Sequence, residues 1–162
     1  MSTRTETTYQ TTRITRTYDK PFDKVVERLQ SSIKKPSGAG LGILDQLSSK
    51  EAFEEVTNAA LGPHEFMQFQ QFNHGDWMSL YGVNRGRKVA RIAITMIKHD
   101  ISAALFVPVE VLIIKREDGK TNVVQVKPST LIAGAGGSSG ELKAAAEILD
   151  NKLEKLWEYV AE

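Results

Sequence analysis

"VPVEVLIIKREDGKTNVVQVKP", residues 107–128, decides the fold. Its first limb, "VPVEVLIIK", is a strongly apolar strand, and Asp118-Gly119 leads into a second strand, "TNVVQVKP". Glycine after aspartate accepts the positive φ that a tight connection demands, so the two limbs predict an antiparallel hairpin. The chain has 162 residues and is 41% hydrophobic, enough to build one sizeable core around such a hairpin, and a single domain over 1–162 is expected.

Upstream, "TTRITRTYD" is rich in β-branched residues and predicts a strand with Ile14 and Tyr18 on one face, at a sheet edge, after a frayed start over 1–8. The period then changes. Phe22, Val25, Val26, Leu29 and Ile33 recur at helical spacing behind Pro21, and "PSGAGLG" ends that helix. Ser48 and Glu51 have capping-box spacing at the head of a second helix, with Phe53, Val56 and Ala60 on one stripe and Gly62-Pro63 as its stop. From Phe66 to Gly82, "FMQFQQF" and "WMSLYG" read as a hairpin around "NHGD". At the C-terminal end, Leu142, Ala145, Leu149, Leu153, Leu156, Trp157 and Val160 form one helical stripe, preceded by a Gly/Ser connector over 134–140 in which Ser138 and Glu141 again have capping-box spacing.

Periodicity leaves "GRKVARIAITMIKHD" open between a strand buried on both faces and a helix. The run from "IAITMIKHDISAALFVPVEVLII" through "VVQVKPSTLI" to the final helix, about the last half of the chain, resembles domain-of-unknown-function family 302, with "PFDKVVERLQSSI" followed by "GLGIL" fitting its first helix and its Gly-Phe-Gly step. The resemblance implies an α+β fold: a curved antiparallel sheet of about five strands packed by helices, of the β-α-β4-α class that includes TATA-binding-protein-like folds. It also implies that the middle segment is a helix. The family's Gly-Asn-Pro element is missing from "GVNRGRKVARIAITM", and its Cys-Asn pair is replaced by Val109-Glu110, so no thiol role carries over.

The charges nearly cancel, 21 basic against 20 acidic, so no global field steers the chain to nucleic acid or to an anionic membrane. Cysteine is absent, which excludes thiol nucleophiles, disulfides and zinc-thiolate sites. The threonine-rich start has no apolar run of the secretory kind, and no segment reaches the roughly 18 apolar residues of a membrane span. A cytoplasmic protein with neither nucleic-acid nor membrane partner is expected.

His74, Asp76 and His99 have the residue types of a non-haem iron triad, but the scaffold that uses His-x-Asp needs more strands than this chain supplies, and "NHGD" suits a turn, so no metal and no cofactor is expected. Glu110 shares a strand face with Leu112 and Ile114, where burial would tune a carboxyl for proton transfer; its competing reading is a core-edge residue facing Arg or Lys. His99, beside Asp100, is the second acid–base candidate, against a plain helix-terminal role. Arg85, Arg87, Lys88 and Arg91 would grip an anion at the start of a middle helix, unless they form a solvated face.

An apolar cleft between sheet and C-terminal helix is expected, lined by Phe69, Phe72, Trp77, Tyr81 and Phe106, with His74, Arg91 and Glu110 as polar anchors. The leading function is therefore binding of a small, largely apolar or amphipathic molecule. A cofactor-free isomerase or lyase using Glu110 or His99, and a homodimeric module that pairs an edge strand, are the alternatives.

Overall fold

A computed structural model of the chain describes residues 2–34, 48–75, 80, 87–92, 100–134 and 138–162. In order they form β1 (Arg13–Tyr18), α1 (Phe22–Ser32), α2 (Lys50–Ala60), β2 (Gln68–Asn73), β3 (Arg87–Ile92), a 3-10 turn (Ile101–Phe106), β4 (Val109–Lys115), β5 (Thr121–Val126), α3 (Pro128–Ile132) and α4 (Gly140–Ala161). The strands pair antiparallel in the order β1-β5-β4-β3-β2, giving a mixed fold of helices on an open sheet.

β4 and β5 form the hairpin at the heart of the sheet, with Ile113 opposite Val123 and Leu112 opposite Val124. Gly119 takes φ +80° in its turn, and a carbon added there would meet nothing within 4 Å, so backbone conformation and not space selects glycine. Alternate residues of β4 and β5 are buried: Val109, Val111 and Ile113 on one, Thr121, Val123 and Gln125 on the other.

α1 and α4 cover that face. Phe22, Val25, Val26 and Leu29 of α1 join Leu142, Ala146, Leu149, Leu153, Leu156, Trp157 and Val160 of α4 in one core. The apolar stripes read from the sequence thus meet the strand face of matching pattern. Each helical cap lies one residue later than the capping-box spacing suggested. Ser49 accepts from the Ala52 N–H and Ser139 from the Leu142 N–H, both at 3.1 Å. In both pairs of adjacent serines the second caps, so Glu51 and Glu141 fall in the first turn, where the helix dipole favours them.

One expectation is corrected. Over Arg87–Ile92 the ambiguous segment is strand, not helix, because it lies between β2 and β4 and its backbone completes both ladders. β2 pairs with this strand; of the "WMSLYG" limb Leu80 alone is described, 81% exposed, and the hairpin expected of it lies outside the described residues. The "PSGAGLG" stop lies outside the described residues.

Candidate functional site

The two faces of the sheet differ. On the inner one, the layer between strands and helices is filled: Val111, Val123, Leu153, Leu156 and Val160 have no exposed surface at all. The outer face is half-covered. Strand alternation turns Leu112, Ile114, Val124 and Val126 outward, all partly buried, and Phe72 outward at 42% exposure. Register aligns them, since Val124 is opposite Leu112, Leu112 opposite Val89, and Val89 opposite Phe72. An apolar row therefore crosses four strands. The buried apolar side chains of α1 and α4 belong to the core beneath, and α2 buries none.

Glu110 lies on this outer face. It does share a side with Leu112 and Ile114, but that side turns away from the helices and Glu110 is exposed, so the burial on which an acid–base role was to rest is missing. Its register partner on β3 is Arg91. Arg87 and Lys88 of the same strand stand at the register positions of Ile114 and Ile113. The helix N-terminus imagined for these basic residues does not exist over Arg87–Arg91.

The aromatic candidates separate. Phe72 stacks on His74 with ring centroids 6.3 Å apart, and the Gly75 N–H donates to the Asn73 side chain at 3.2 Å, the bond that makes an Asx turn of this stretch. Phe69 is half-buried at the irregularity between Gln68 and Gln70. Phe106 packs against the core, its ring edge-on to Tyr9 at 5.6 Å, away from the outer row. Trp77, Tyr81, Asp76, Arg85 and His99 lie outside the described residues.

One polar cluster had no signal in spacing. The Ser32 hydroxyl and His64 Nδ1 are 2.9 Å apart, the His64 ring lies 4.7 Å from that of Tyr159, and the Arg28 guanidinium sits 4.2 Å over the same ring while donating to the Tyr159 carbonyl at 2.6 Å. Ser32 is wholly buried, so its hydroxyl cannot reach a substrate despite the serine–histidine pairing. The cluster instead fastens the turn after α2 to α1 and α4. Glu65 in that turn adopts φ +61° and pairs with Lys152 of α4.

The family model for "Domain of unknown function DUF302" matches residues 46–159. The chain belongs to the DUF302 family. A crystal structure of an uncharacterized conserved DUF302 protein from Bacillus stearothermophilus has a similar fold, with TM-score 0.60 and 13% identity over 91% of this chain and 97% of that one. At that identity the likeness concerns the fold alone. No curated protein matches this DUF302 chain significantly. None of its described helices is long and apolar enough to cross a membrane.

Proposed function

We propose that the chain binds a small apolar or amphipathic molecule on the outer face of the sheet. The observation that supports this reading is the row Val124, Leu112, Val89 and Phe72, flanked by Ile114 and Val126 and bordered by the polar positions Glu110 and Arg91. Ligand sites combine such apolar walls with a few polar groups that fix orientation. The expected place between sheet and α4 is already packed, and a ligand there would have to displace core side chains worth about 1.5–3 kcal/mol each.

Native mass spectrometry of freshly purified protein, together with titration of the amphipathic anion anilinonaphthalenesulfonate, tests the proposal. Saturable fluorescence lost in Phe72→Glu, with the melting curve kept, is the expected result. Probe binding that Phe72→Glu leaves intact would move the site elsewhere.

A further inference from the structure

We infer that β1 is the receiving edge for an extended segment of another protein, one that carries two basic side chains four residues apart with a neutral residue midway between them. The segment adds antiparallel to β1 as a sixth strand, alongside an acidic row on α4.

The backbone of β1 is open on one side. The Lys127 N–H donates to the Thr12 carbonyl at 2.7 Å, and the register with β5 continues unbroken from Arg13 opposite Val126 to Tyr18 opposite Thr121. Bonded and non-bonded pairs alternate in an antiparallel ladder, so Ile14, Arg16 and Tyr18 bond to β5 while Arg13, Thr15 and Thr17 direct N–H and C=O away from the sheet. Thr17 fits this alternation, since its hydroxyl donates to the Asn122 side chain at 2.9 Å across a closely spaced non-bonded pair. The strand "RITRTY" contains no proline, glycine or bulge to blunt the edge. The opposite edge differs. β2 has a register shift between Gln68 and Gln70, and the Gln68 N–H already donates to the Lys34 carbonyl at 2.8 Å.

Charge names the occupant. Arg16 of β1 pairs with Glu154 of α4, and the Tyr18 hydroxyl donates to the Trp157 carbonyl, so α4 runs alongside β1 in the same direction. Glu147, Asn151 and Glu158 lie seven, three and four residues from Glu154, positions that share its side of a helix, and all four side chains are exposed. Because Glu154 reaches the edge strand, this side overlooks the open edge. Four helical residues advance about 6 Å and two strand residues about 6.6 Å, so Glu158 stands near the level of Tyr18. Glu147 lies about 10 Å the other way, just beyond the level of Ile14.

An added strand turns alternate side chains to this side, opposite Ile14, Arg16 and Tyr18. Basic residues opposite Ile14 and Tyr18 reach Glu147 and Glu158. Arg16 already answers Glu154, and a cation directly opposite it would be repelled, which sets the neutral residue between them. A second copy of this chain fits poorly. Two-fold pairing of β1 with itself brings Glu147, Glu154 and Glu158 of one α4 toward the same residues of the other, and an inward charge such as Arg16 is a device by which edge strands avoid like partners.

Fluorescence anisotropy at low salt tests this with the labelled, end-blocked peptide Thr-Lys-Thr-Thr-Thr-Lys-Thr. Saturable binding is expected, weakened at least about tenfold when both lysines become glutamate or when the protein carries Glu147→Lys together with Glu158→Lys. Thr15→Pro removes an outward N–H and no bond to β5, so it should weaken binding at least about tenfold and keep the melting curve. Methylation of the peptide nitrogens makes the same test without touching the protein. Methyl groups on the third and fifth nitrogens, which face β1, should abolish binding, while one on the fourth, which faces away, should leave it. Equal binding of the glutamate peptide, binding that survives methylation at the third and fifth nitrogens, or no saturation up to about 1 mM overturns the inference. An unmodified chain that sedimentation finds dimeric, and that Thr15→Pro makes monomeric, assigns the edge to a second copy and overturns it as well.

Discussion

The indole N–H of Trp157 donates to the side-chain carbonyl of Gln125 at 2.6 Å, and both residues are buried. This bond ties the last helix to the strand next to the sheet edge. It also gives Gln125, which β5 turns inward beside Val123, a partner inside the core. Trp157→Phe should cost about 1–3 kcal/mol by leaving the Gln125 carbonyl without a partner. Trp157→Ala adds a cavity and should cost about 3–5 kcal/mol, a large part of a domain's roughly 5–15 kcal/mol. Denaturant titration of both variants and of Gln125→Leu measures the coupling. Additive losses would mean that the bond contributes nothing beyond packing.

Tyr18 stands beside that link, its hydroxyl donating to the Trp157 carbonyl at 3.2 Å. Burial pushes its phenol up to about 12, the charge of Arg16 opposing and that of Glu154 adding to the rise. A folded value above the unfolded one means that the native state holds the proton longer. The contribution is therefore complete below about pH 10 and lost as pH climbs from 10 toward 12. Alkaline melts should show a loss of roughly 2 kcal/mol across this window, reduced in Tyr18→Phe. A phenolate absorbance titrating at the ordinary tyrosine value in the native protein would contradict this.

Asp150 is a buried carboxylate of α4 whose Oδ1 accepts the Ser129 N–H at 3.1 Å at the head of α3, with the Lys127 ammonium 3.6 Å from Oδ2. α3 has no capping side chain of its own. Asp150→Ala should cost about 1–2 kcal/mol and speed amide exchange at Ser129, while Asp150→Asn, which keeps an acceptor, should cost less. Equal losses in both would show that charge matters and the cap does not.

Gly62→Ala should destabilise by at least about 1–3 kcal/mol, because the added carbon would come within 2.2 Å of the Ser32 carbonyl oxygen, a backbone atom that no rotamer change can move. A thermal melt suffices, and an unchanged midpoint would mean that α1 and the turn separate without cost.

Glu110→Gln should change stability by less than about 0.5 kcal/mol, since the residue is exposed and its partner strand already pairs through the backbone. If an amphipathic cation binds at the outer face, the same change should weaken it and leave a neutral analogue unaffected, as calorimetry would show.

Local pattern carried much of this architecture. Asp118-Gly119 between two β-forming limbs predicts the β4–β5 hairpin because turn chemistry and strand propensity agree over adjacent residues. The stripes of α1 and α4 were equally legible, since their apolar residues recur at the helical period and go where such a stripe must, against a sheet. Of the candidate site, sequence placed Glu110, Leu112 and Ile114 together, because alternation in a strand says which residues share a side.

What alternation leaves undetermined is which side meets the helices. Val109, Val111 and Ile113 compete with Leu112 and Ile114 on nearly equal terms, and only the docking of α1 and α4 settles it, turning Glu110 to the exposed face. The strand state of Arg87–Ile92 is likewise a tertiary decision, taken when β2 and β4 offer two ladders to one segment. Ser32 and His64 meet, and Arg91 comes opposite Glu110, for the same reason: contacts between residues far apart in the chain arise from packing and register, which no local spacing encodes.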